Sequence, residues 1–563
     1  MAPPTFAGLT GRPLSLAVSA ICTIGFLLFG YDQGVMSGIL TAPAFADVFE
    51  ETRNNSTIQG VVTSVYDLGC LFGAIFILNV GDQLGRRRAI IAGGIIMIFG
   101  ALIQVTAYPG HAPLAQFIIG RIVTGLGNGI NTSTIPTYQA ECSKTSNRGL
   151  LICIQGGTIA FGTLIAYWLD YGSSFGPADL VWRFPIAFQI IFGIIISTAM
   201  FWLPESPRWL LTHERYDEAT NVIAAIRGYE VDSHETATER GIIIDSIRAS
   251  GVMGGKSTPF KALFTNGKTQ HFRRMLLGAS SQFMQQVGGC NAVIYFFPIL
   301  CETFITPGDH NMALLLGGVN AIVYAIFGYM STIPNLATII HRIRATVSWF
   351  LIERVGRRKL FLWGTVGQGL SMVLAFGALI PGTQSAAIGT CVALFTYIAS
   401  FGATWLPLPW FPAEINPIMT RAKANAASTI SNWLFNFFIV LITPVLVTNI
   451  GWGTFLFFAI LNATFIPVIY FFYPETARRS LEEIDIIFAK GNVENISYVK
   501  AAKDLPLLTD EEVEQEALKY GLLDTAARGA IRSAIHDPEK AEVAGKKSDE
   551  DSGSKEEREE TSV

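Results

Sequence analysis

The chain has few charged residues for its length. Of its 563 residues only 15% are Asp, Glu, Lys or Arg, whereas 50% are hydrophobic, and the mean hydropathy is +0.41. A soluble domain carries about 25% charged residues, so this composition excludes an ordinary soluble protein. The net charge of −4 also lacks the basic excess of a nucleic-acid-binding protein, and we expect no nucleic-acid partner.

Cysteine is scarce as well, and its spacing shows no pairing. The cysteines lie mostly inside apolar runs: Cys22, Cys70, Cys142, Cys153, Cys290, Cys301 and Cys391. This placement indicates small core residues rather than disulfides or a metal site. No nucleophile–base set or phosphate-binding loop stands out either, so we expect no enzyme, no cofactor and no metal.

What the chain does contain is long apolar runs. A helix needs about 20 mostly apolar residues to span a bilayer. Such runs begin near Leu14, Ile58, Ala89, Pro113, Leu150 and Trp182, and again near Met275, Met312, Leu360, Ala386, Ala424 and Trp452. The sequence therefore predicts an all-α membrane protein with twelve transmembrane helices in two six-helix halves. The first run is too long for a signal peptide and lacks a cleavage site, so we expect it to be retained.

A charged turn that occurs twice indicates that the two halves are related. Residues 81–87 (Gly-Asp-Gln-Leu-Gly-Arg-Arg) return as residues 352–358 (Ile-Glu-Arg-Val-Gly-Arg-Arg). The Pro-Glu motif at 204–205 returns at 474–475, and a Glu…Arg pair at 141 and 148 returns at 414 and 421. Internal duplication of membrane helices is typical of transporters whose two halves move about a central site.

The repeated charges predict a cytoplasmic gate, in which salt bridges between helix ends hold the two halves shut. Its predicted members are Asp82, Arg86, Arg87, Glu141, Arg148, Glu205, Arg208, Glu353, Arg357, Arg358, Glu414, Arg421 and Glu475. The alternative is that the arginines only set the orientation in the membrane. That alternative does not explain the repeated acidic partners.

Basic residues also predict which side faces the cytoplasm. Clusters at 86–88, 357–359 and 478–479 lie in short turns on one side, which the positive-inside rule makes cytoplasmic, together with both termini. The first loop on the other side is acidic and carries two overlapping glycosylation acceptors, Asn54 and Asn55, although such triplets also arise by chance. We divide the chain into an N-terminus (1–13), a first half (14–204), linker helices (205–274), a second half (275–473) and a cytoplasmic tail (474–563) that is largely disordered at its end.

Two charges inside apolar runs form a possible proton switch. Asp32 closes the first run, and Arg121 lies in the middle of the fourth. Charges in a membrane core are costly and mark functional sites by default. If the two side chains meet, protonation of Asp32 would release Arg121. The alternative is a static ion pair that fixes helix packing.

A set of uncharged polar residues predicts a site for a hydroxyl-rich ligand. Gln282, Gln285 and Gln286 share one helix face, two glycines follow them, and Asn291 and Tyr295 come next. Other runs add further amides and flat aromatic rings: Gln155, Asn320, Asn432, Trp410 and Trp433. Amides donate and accept hydrogen bonds, as sugar hydroxyls do. Interhelical hydrogen bonding is the alternative for any single amide.

At these motifs the chain resembles the sugar porter family of the major facilitator superfamily, from near Leu14 to near Asp485. The resemblance rests on the repeated turn, on Pro-Glu-Ser-Pro-Arg-Trp-Leu at 204–210, on the glutamines and asparagines of 282–291, on 432–437 and on Pro-Glu-Thr at 474–476. It implies a sugar held between the halves, with contacts from Gln155, Gln285, Gln286, Asn291, Asn320 and Trp410, and with Asn432 and Trp433 nearby. It also implies that Asp32 and Arg121 are the proton-coupling pair.

We therefore expect a multi-pass plasma-membrane protein that carries a hexose or pentose by alternating access, together with protons. A glycerol or polyol symporter is the closest alternative, because some fungal relatives carry glycerol. A transporter-like sugar sensor is a further alternative. The expected partners are a small sugar, protons and the lipid bilayer.

One stretch departs from the family pattern. From Asn320 to Glu353 the chain is about twice as long as the family's usual spacing, and removing residues 328–344 restores that spacing. This insertion contains a proline, a histidine and two arginines, which suit the middle of a spanning helix poorly. We interpret it as an in-frame intron that was translated; a real extension of the eighth span is the alternative.

Overall fold

The structure is a computed structural model, and it describes residues 4–53, 55–143, 148–249, 260–330, 355–406, 408, 411–417 and 419–522. The described residues form helices joined by short turns, and no β-strand occurs among them. The all-α architecture predicted from the sequence is confirmed.

The first half consists of long helices that follow one another along the chain. They are α1 (Arg12–Ile39), the short α2 (Pro43–Val48), α3 (Ser56–Leu84), α4 (Arg86–Val105), α5 (Pro113–Cys142), α6 (Arg148–Ser173) and α7 (Ala178–Trp202). Three helices follow the first half: α8 (Pro207–Thr212), α9 (Tyr216–Arg227) and α10 (His234–Ala249).

The second half repeats this order with one helix broken in two. Its helices are α11 (His271–Val287), α12 (Cys290–Phe304), α13 (His310–Met330), α14 (Arg357–Leu379), α15 (Gln384–Thr404), the short α16 (Phe411–Ile415), α17 (Arg421–Ile450) and α18 (Gly453–Phe472). The tail adds α19 (Leu481–Val493), α20 (Tyr498–Asp504) and α21 (Asp510–Lys519).

Ten helical segments within the described residues are long and apolar enough to cross a bilayer, with α11 and α12 counted as one segment. The helices α5 and α6 are 30 and 26 residues long but are not among the ten. Each of the twelve predicted runs lies within a few residues of the start of a long helix. The number of spans and the side of the termini stay predictions.

The two halves meet along a defined set of helices. Within the first half, α5 packs on α3 and α4, and α1 packs on α6. Within the second half, α14 packs on α15 and α18, and α11 on α17. Between the halves, α3 contacts α17, α6 contacts α13, and α1 contacts α12. Side chains on these three pairs of helices are therefore the ones placed to bind a ligand between the halves.

A proline in α12 creates one of the contacts between halves. Pro298 has no N–H, so the carbonyl of Ile294 loses its helical partner, and the backbone at Phe296 is non-helical. The Ile294 carbonyl instead accepts a hydrogen bond from the hydroxyl of Tyr167 in α6. This hydrogen bond connects the bend in α12, in the second half, to α6 in the first half.

The described residues fall into two compact units. One lies within Met1–Thr265 and His271–Ala477, and the other within Asn266–Gln270 and Arg478–Val563. In the first unit, α8 and α9 pack apolar side chains such as Leu210 and Ile226 against Leu14 of α1. In the second unit, Gln270 donates a hydrogen bond to Asn492 at 3.1 Å, so part of the predicted linker groups with the tail.

Candidate functional site

A break between α11 and α12 lies in the second half. Gly289 adopts φ +98°, a conformation that strains any residue with a side chain. A Cβ at this position would lie 2.8 Å from the ring of Phe458. The carbonyl of Gly288 accepts hydrogen bonds from the Tyr397 hydroxyl and the Asn462 amide, each at 2.9 Å. The break is therefore held by partners on α15 and α18.

Three of the predicted amides meet beside this break. Asn432 Nδ2 of α17 donates to Gln282 Oε1 at 2.7 Å and to Gln285 Oε1 at 3.4 Å. Gln285 Nε2 donates to the carbonyl of Trp405 at 3.2 Å. Gln282 and Gln285 are buried. Gln282 and Gln285 share one face of α11, as their spacing predicts, and this face packs against α17.

A second chain of amides runs from the second half into the first. Asn291 Nδ2 donates to Gln286 Oε1 at 2.7 Å and to Asn436 Oδ1 at 2.6 Å. Asn436 Nδ2 donates in turn to Asp67 Oδ1 at 2.9 Å. Asp67 belongs to α3, so this last hydrogen bond joins the halves. Asp67 is not among the residues predicted from the sequence, although it carries the same signal as Asp32, an acidic residue inside an apolar run.

Some buried polar atoms of the predicted set have no hydrogen-bond partner among the described residues. They include Gln155 Oε1 on α6 and Asn320 Oδ1 on α13. Gln155 Nε2 donates to Gln139 Oε1, and Gln139 Nε2 itself has no partner within the part of the chain that the structure describes. Buried polar atoms are almost always paired, so these atoms on α5, α6 and α13 are suited to a polar ligand or to water.

Aromatic rings enclose the same region. Trp433 packs edge-on against Phe29 of α1, with ring centroids 5.4 Å apart. Trp405, which no motif in the sequence marks, lines with Gln282 and Gln285 a gap too narrow to admit a water molecule. Trp410 lies outside the described residues. In this conformation the site is nearly closed.

Asp32 and Arg121 are both fully buried, and Tyr66 lies between them. The Tyr66 hydroxyl donates to Asp32 Oδ2 at 3.1 Å and accepts from Asn128 Nδ2 at 2.6 Å. The Arg121 guanidinium lies over the Tyr66 ring, 4.6 Å from its centroid, and its Nη2 contacts the carbonyl of Thr63 at 3.5 Å. In this conformation Tyr66 connects the two side chains, since it contacts both Asp32 and Arg121. The proton switch stays a prediction.

A cluster of ion pairs and hydrogen bonds, here called the N clamp, fastens the start of α4. Arg86 donates from Nε to Glu141 at 3.2 Å and from Nη1 to Asp82 at 3.0 Å. Glu205 Oε1 accepts the backbone N–H groups of Arg86 at 3.0 Å and Arg87 at 3.1 Å. A carboxylate at a helix start satisfies backbone donors and complements the helix dipole.

An equivalent cluster, the C clamp, fastens the start of α14. Arg357 donates from Nε to Glu414 at 3.2 Å and from Nη2 at 3.0 Å. Glu475 accepts the backbone N–H groups of Arg357 at 2.8 Å and Arg358 at 3.2 Å. The hydroxyl of Thr476 donates to Glu414 at 3.2 Å, as that of Ser206 does to Glu141 at 2.6 Å. The charged motif that occurs twice in the sequence therefore makes equivalent contacts in the two halves.

The glycine inside each repeated turn is required by its clamp. Gly85 has φ +86° and Gly356 has φ +96°. A Cβ at Gly85 would lie 2.7 Å from the Glu205 carboxylate, and one at Gly356 would lie 2.2 Å from the Glu475 carboxylate. Any side chain here would displace the carboxylate that binds the helix start.

None of the clamp contacts given above joins the first half to the second; in this conformation they fasten the starts of α4 and α14. The gate between the halves stays a prediction. Arg421 Nε donates to the carbonyl of Asn416 at 3.2 Å, and Arg208 is half-buried at the start of α8. Glu353 and the side chain of Arg148 lie outside the described residues.

The first loop after α1 bears the two predicted glycosylation acceptors. Asn55 caps α3, and its Oδ1 accepts a hydrogen bond from the N–H of Ile58 at 3.2 Å. Asn54 lies outside the described residues. Glycosylation stays a prediction.

Comparison with known proteins identifies the family. The family described as "Sugar (and other) transporter" matches residues 18–488. The chain is 43% identical over 525 residues to the sugar transporter STL1 of Saccharomyces cerevisiae, which covers 92% of this chain and 89% of that protein. It is 42% identical over 530 residues to the major facilitator superfamily transporter mfsA of Aspergillus fumigatus, with 92% and 94% covered.

Solved structures share the fold. The partially occluded, inward-open form of the xylose transporter XylE from E. coli matches with a TM-score of 0.66 at 20% identity, covering 82% of this chain and all of that one. The proton:xylose symporter XylE bound to 6-bromo-6-deoxy-D-glucose matches with a TM-score of 0.68 at 22% identity, covering 85% and 100%. The chain is therefore a multi-pass integral membrane transporter and belongs to the sugar porter family of the major facilitator superfamily.

Proposed function

We propose that this transporter carries a monosaccharide, a hexose or a pentose, across the plasma membrane by alternating access and in symport with protons. The observation that carries the proposal is the group of buried amides around the break between α11 and α12. Facing helices add polar atoms that no described residue hydrogen-bonds, such as Gln155 Oε1 and Asn320 Oδ1. A ligand rich in hydroxyls can satisfy donors and acceptors of this kind together.

Alternating access is supported by where these side chains lie. They come from both halves, and the hydrogen bond from Asn436 to Asp67 passes between them. A ligand that contacts both halves stabilises the closed arrangement relative to either open one. Opening then requires these few contacts to break while the clamps within each half stay formed.

Proton coupling is supported by Asp32. Its carboxylate is fully buried, one oxygen accepts from Tyr66, and Oδ1 has no partner among the described residues. A buried carboxylate that is only partly hydrogen-bonded is costly when charged. Binding a proton relieves this cost and changes the interaction with the nearby Arg121. The fold relative XylE is itself named a proton:xylose symporter.

A glycerol or polyol substrate is a second candidate, because its hydroxyl groups suit the same amides. In this conformation the space beside Gln282 and Gln285 does not admit a water molecule, so either substrate requires the site to open. A three-carbon polyol needs less room than a six-carbon ring and offers the same hydroxyl groups to the amides.

Uptake of labelled glucose, xylose and glycerol in yeast without its own hexose carriers tests both candidates. The chain is assayed with and without residues 328–344, and with and without a protonophore. We expect sugar to accumulate above the outside level and this accumulation to collapse with the protonophore. Sugar that only equilibrates would contradict proton coupling, and uptake of glycerol alone would establish the polyol carrier.

The Gln285→Ala variant tests whether the buried amides bind the transported substrate. We expect apparent affinity to fall about tenfold, because losing a hydrogen bond to a buried polar group costs about 1–3 kcal/mol. Asn79→Ala is the matched control, since Asn79 is an exposed amide on α3. Equal affinities for the Gln285→Ala variant and the wild type would remove Gln285 from the site.

A further inference from the structure

Asp67 is a buried carboxylate that the proposed proton site does not include. It lies on α3 and is 0% exposed. Asp67 Oδ1 accepts a hydrogen bond from Asn436 at 2.9 Å, whereas Oδ2 has no partner among the described residues. An isolated carboxylate taken out of water is costly unless it is paired. A proton on Oδ2 is the smallest partner that would relieve this cost.

The groups around Asp67 interact with it, but none makes a hydrogen bond of normal geometry to Oδ2 among the described residues. Arg121 faces it from α5 and Tyr295 faces it from α12, while α17 contributes the uncharged Asn436. Arg121 Nε and Nη1 and the Tyr295 hydroxyl themselves lack hydrogen-bond partners among the described residues. Asp32 of α1 is bonded to Tyr66 rather than to Asp67.

The other charges that pack near α3 lie at its ends. The basic cluster that begins α4 follows Leu84, which is 17 residues beyond Asp67 and so roughly 25 Å away along the helix. The acidic turn Glu50–Thr52 precedes the start of α3 at Ser56, which is roughly 16 Å from Asp67 on the other side. Neither group is close enough to pair with Asp67.

We propose that Asp67 is a second proton-binding residue, and that its protonation loosens the hydrogen bond that ties α3 to α17 as the halves separate. The proton binds Oδ2, and Oδ1 is then the acceptor of a neutral carboxyl group. Hydrogen bonds to a charged acceptor are about twice as strong as neutral ones, so the bond from Asn436 weakens. This proposal rests on the proposed proton symport and names a further residue in it.

The same hydrogen bonds connect Asp67 to the amides of the site. Asn436 donates to Asp67 and accepts from Asn291, which also donates to Gln286. Loosening Asn436 therefore frees the amide of Asn291 to change partners beside the break in the helix. Because coupling between two sites is reciprocal, a ligand held by these amides also changes the affinity of Asp67 for a proton.

Asp67→Asn tests the proposal, since it keeps the shape of the side chain and removes the titration. We expect the variant to keep a larger fraction of its exchange of labelled for unlabelled sugar across the membrane than of its accumulation. We expect it to lose most of the protonophore-sensitive accumulation and the alkalinisation of the medium that sugar addition causes. Asp67→Glu, which still titrates, should retain both. Asp179→Asn is the matched control, because it makes the same change at an aspartate whose side chain is 80% exposed.

Accumulation by the Asp67→Asn variant at the wild-type ratio would overturn the proposal, as would an equal loss of exchange and accumulation in both Asp67 variants. If Asp67→Asn does not reach the membrane, Asn436→Asp replaces it. A second carboxylate beside Asp67 should shift the pH dependence of accumulation toward alkaline pH by about one unit or more, because like charges favour proton binding. An unchanged pH dependence would count against the proposal. Wild-type protein that never accumulates sugar would instead refute the proposed symport itself.

Discussion

Tyr66 positions three buried polar side chains of the first half. Its hydroxyl links Asn128 to Asp32, and its ring lies under the guanidinium of Arg121. Protonation of Asp32 would therefore change the environment of Arg121 through Tyr66, which contacts both side chains. We infer that Tyr66 contributes to the coupling between the two charges.

We expect Tyr66→Phe to lower the free energy of unfolding. It removes one hydroxyl and leaves Asp32 and Asn128 each without this buried partner, at a cost of about 1–3 kcal/mol for each group. Thermal melting of the detergent-solubilised protein measures the change. Tyr108→Phe is the control, since Tyr108 is 60% exposed. Superimposable melting curves for the Tyr66→Phe variant and the wild type would show that the bridge contributes nothing.

The sequence could identify charged members of this site but not the residues that connect them. Asp32 and Arg121 stand out because a charge in an apolar run is unusual. A tyrosine such as Tyr66 fits an apolar run without special cost, so only the packing of α1, α3 and α5 reveals its role. Asp67 is also an acidic residue inside an apolar run, so the criterion that identified Asp32 applies to it as well.

At the scale of elements, the break between α11 and α12 organises the second half. Its two glycines were visible in the sequence, but the partners of the freed carbonyl, Tyr397 and Asn462, lie more than a hundred residues further along the chain. The starts of the long helices were predicted within a few residues, because apolar runs of spanning length leave few alternatives. The charged residues of the clamps were predicted from their repeat in the sequence. Which of them pair with each other depends on how the helices pack, and that is visible only in the structure.

We expect Gly289→Ala to destabilise the protein and to slow transport. A residue with a side chain in this backbone conformation costs about 1–3 kcal/mol, and the new Cβ would lie 2.8 Å from the Phe458 ring. Gly377→Ala on α14 is the control, since a Cβ there meets no atom within 4 Å. Melting temperature and initial uptake rate measure the two effects. A Gly289→Ala variant as stable and active as its control would mean that the break tolerates a side chain.

For the whole molecule, the contact between α6 and α13 is a place to test movement of the halves. A Cβ at Gly318 of α13 would lie 3.2 Å from the Trp168 ring of α6. We expect the double variant Trp168→Cys, Gly318→Cys to lose nearly all uptake when a short bifunctional thiol reagent joins the two cysteines. A reducing agent should restore uptake after a cleavable reagent.

The single variants are the controls for this cross-link, because the reagent can then attach without joining the halves. The six native cysteines whose side chains the structure describes are all buried, which limits background reaction. Full uptake by the cross-linked double variant would contradict relative movement of α6 and α13 during transport.

The placement of the clamps has a consequence for the rate of the transport cycle. The ion pairs from Arg86 to Glu141 and from Arg357 to Glu414 each join helices of a single half. If such a partly buried pair had to break in every cycle, it would cost at most about 3–5 kcal/mol, and turnover would fall by up to roughly two to four powers of ten. Because these ion pairs stay formed while the halves move, they stabilise each half without raising the activation free energy of transport. The protein can therefore be stable and still have a high turnover rate.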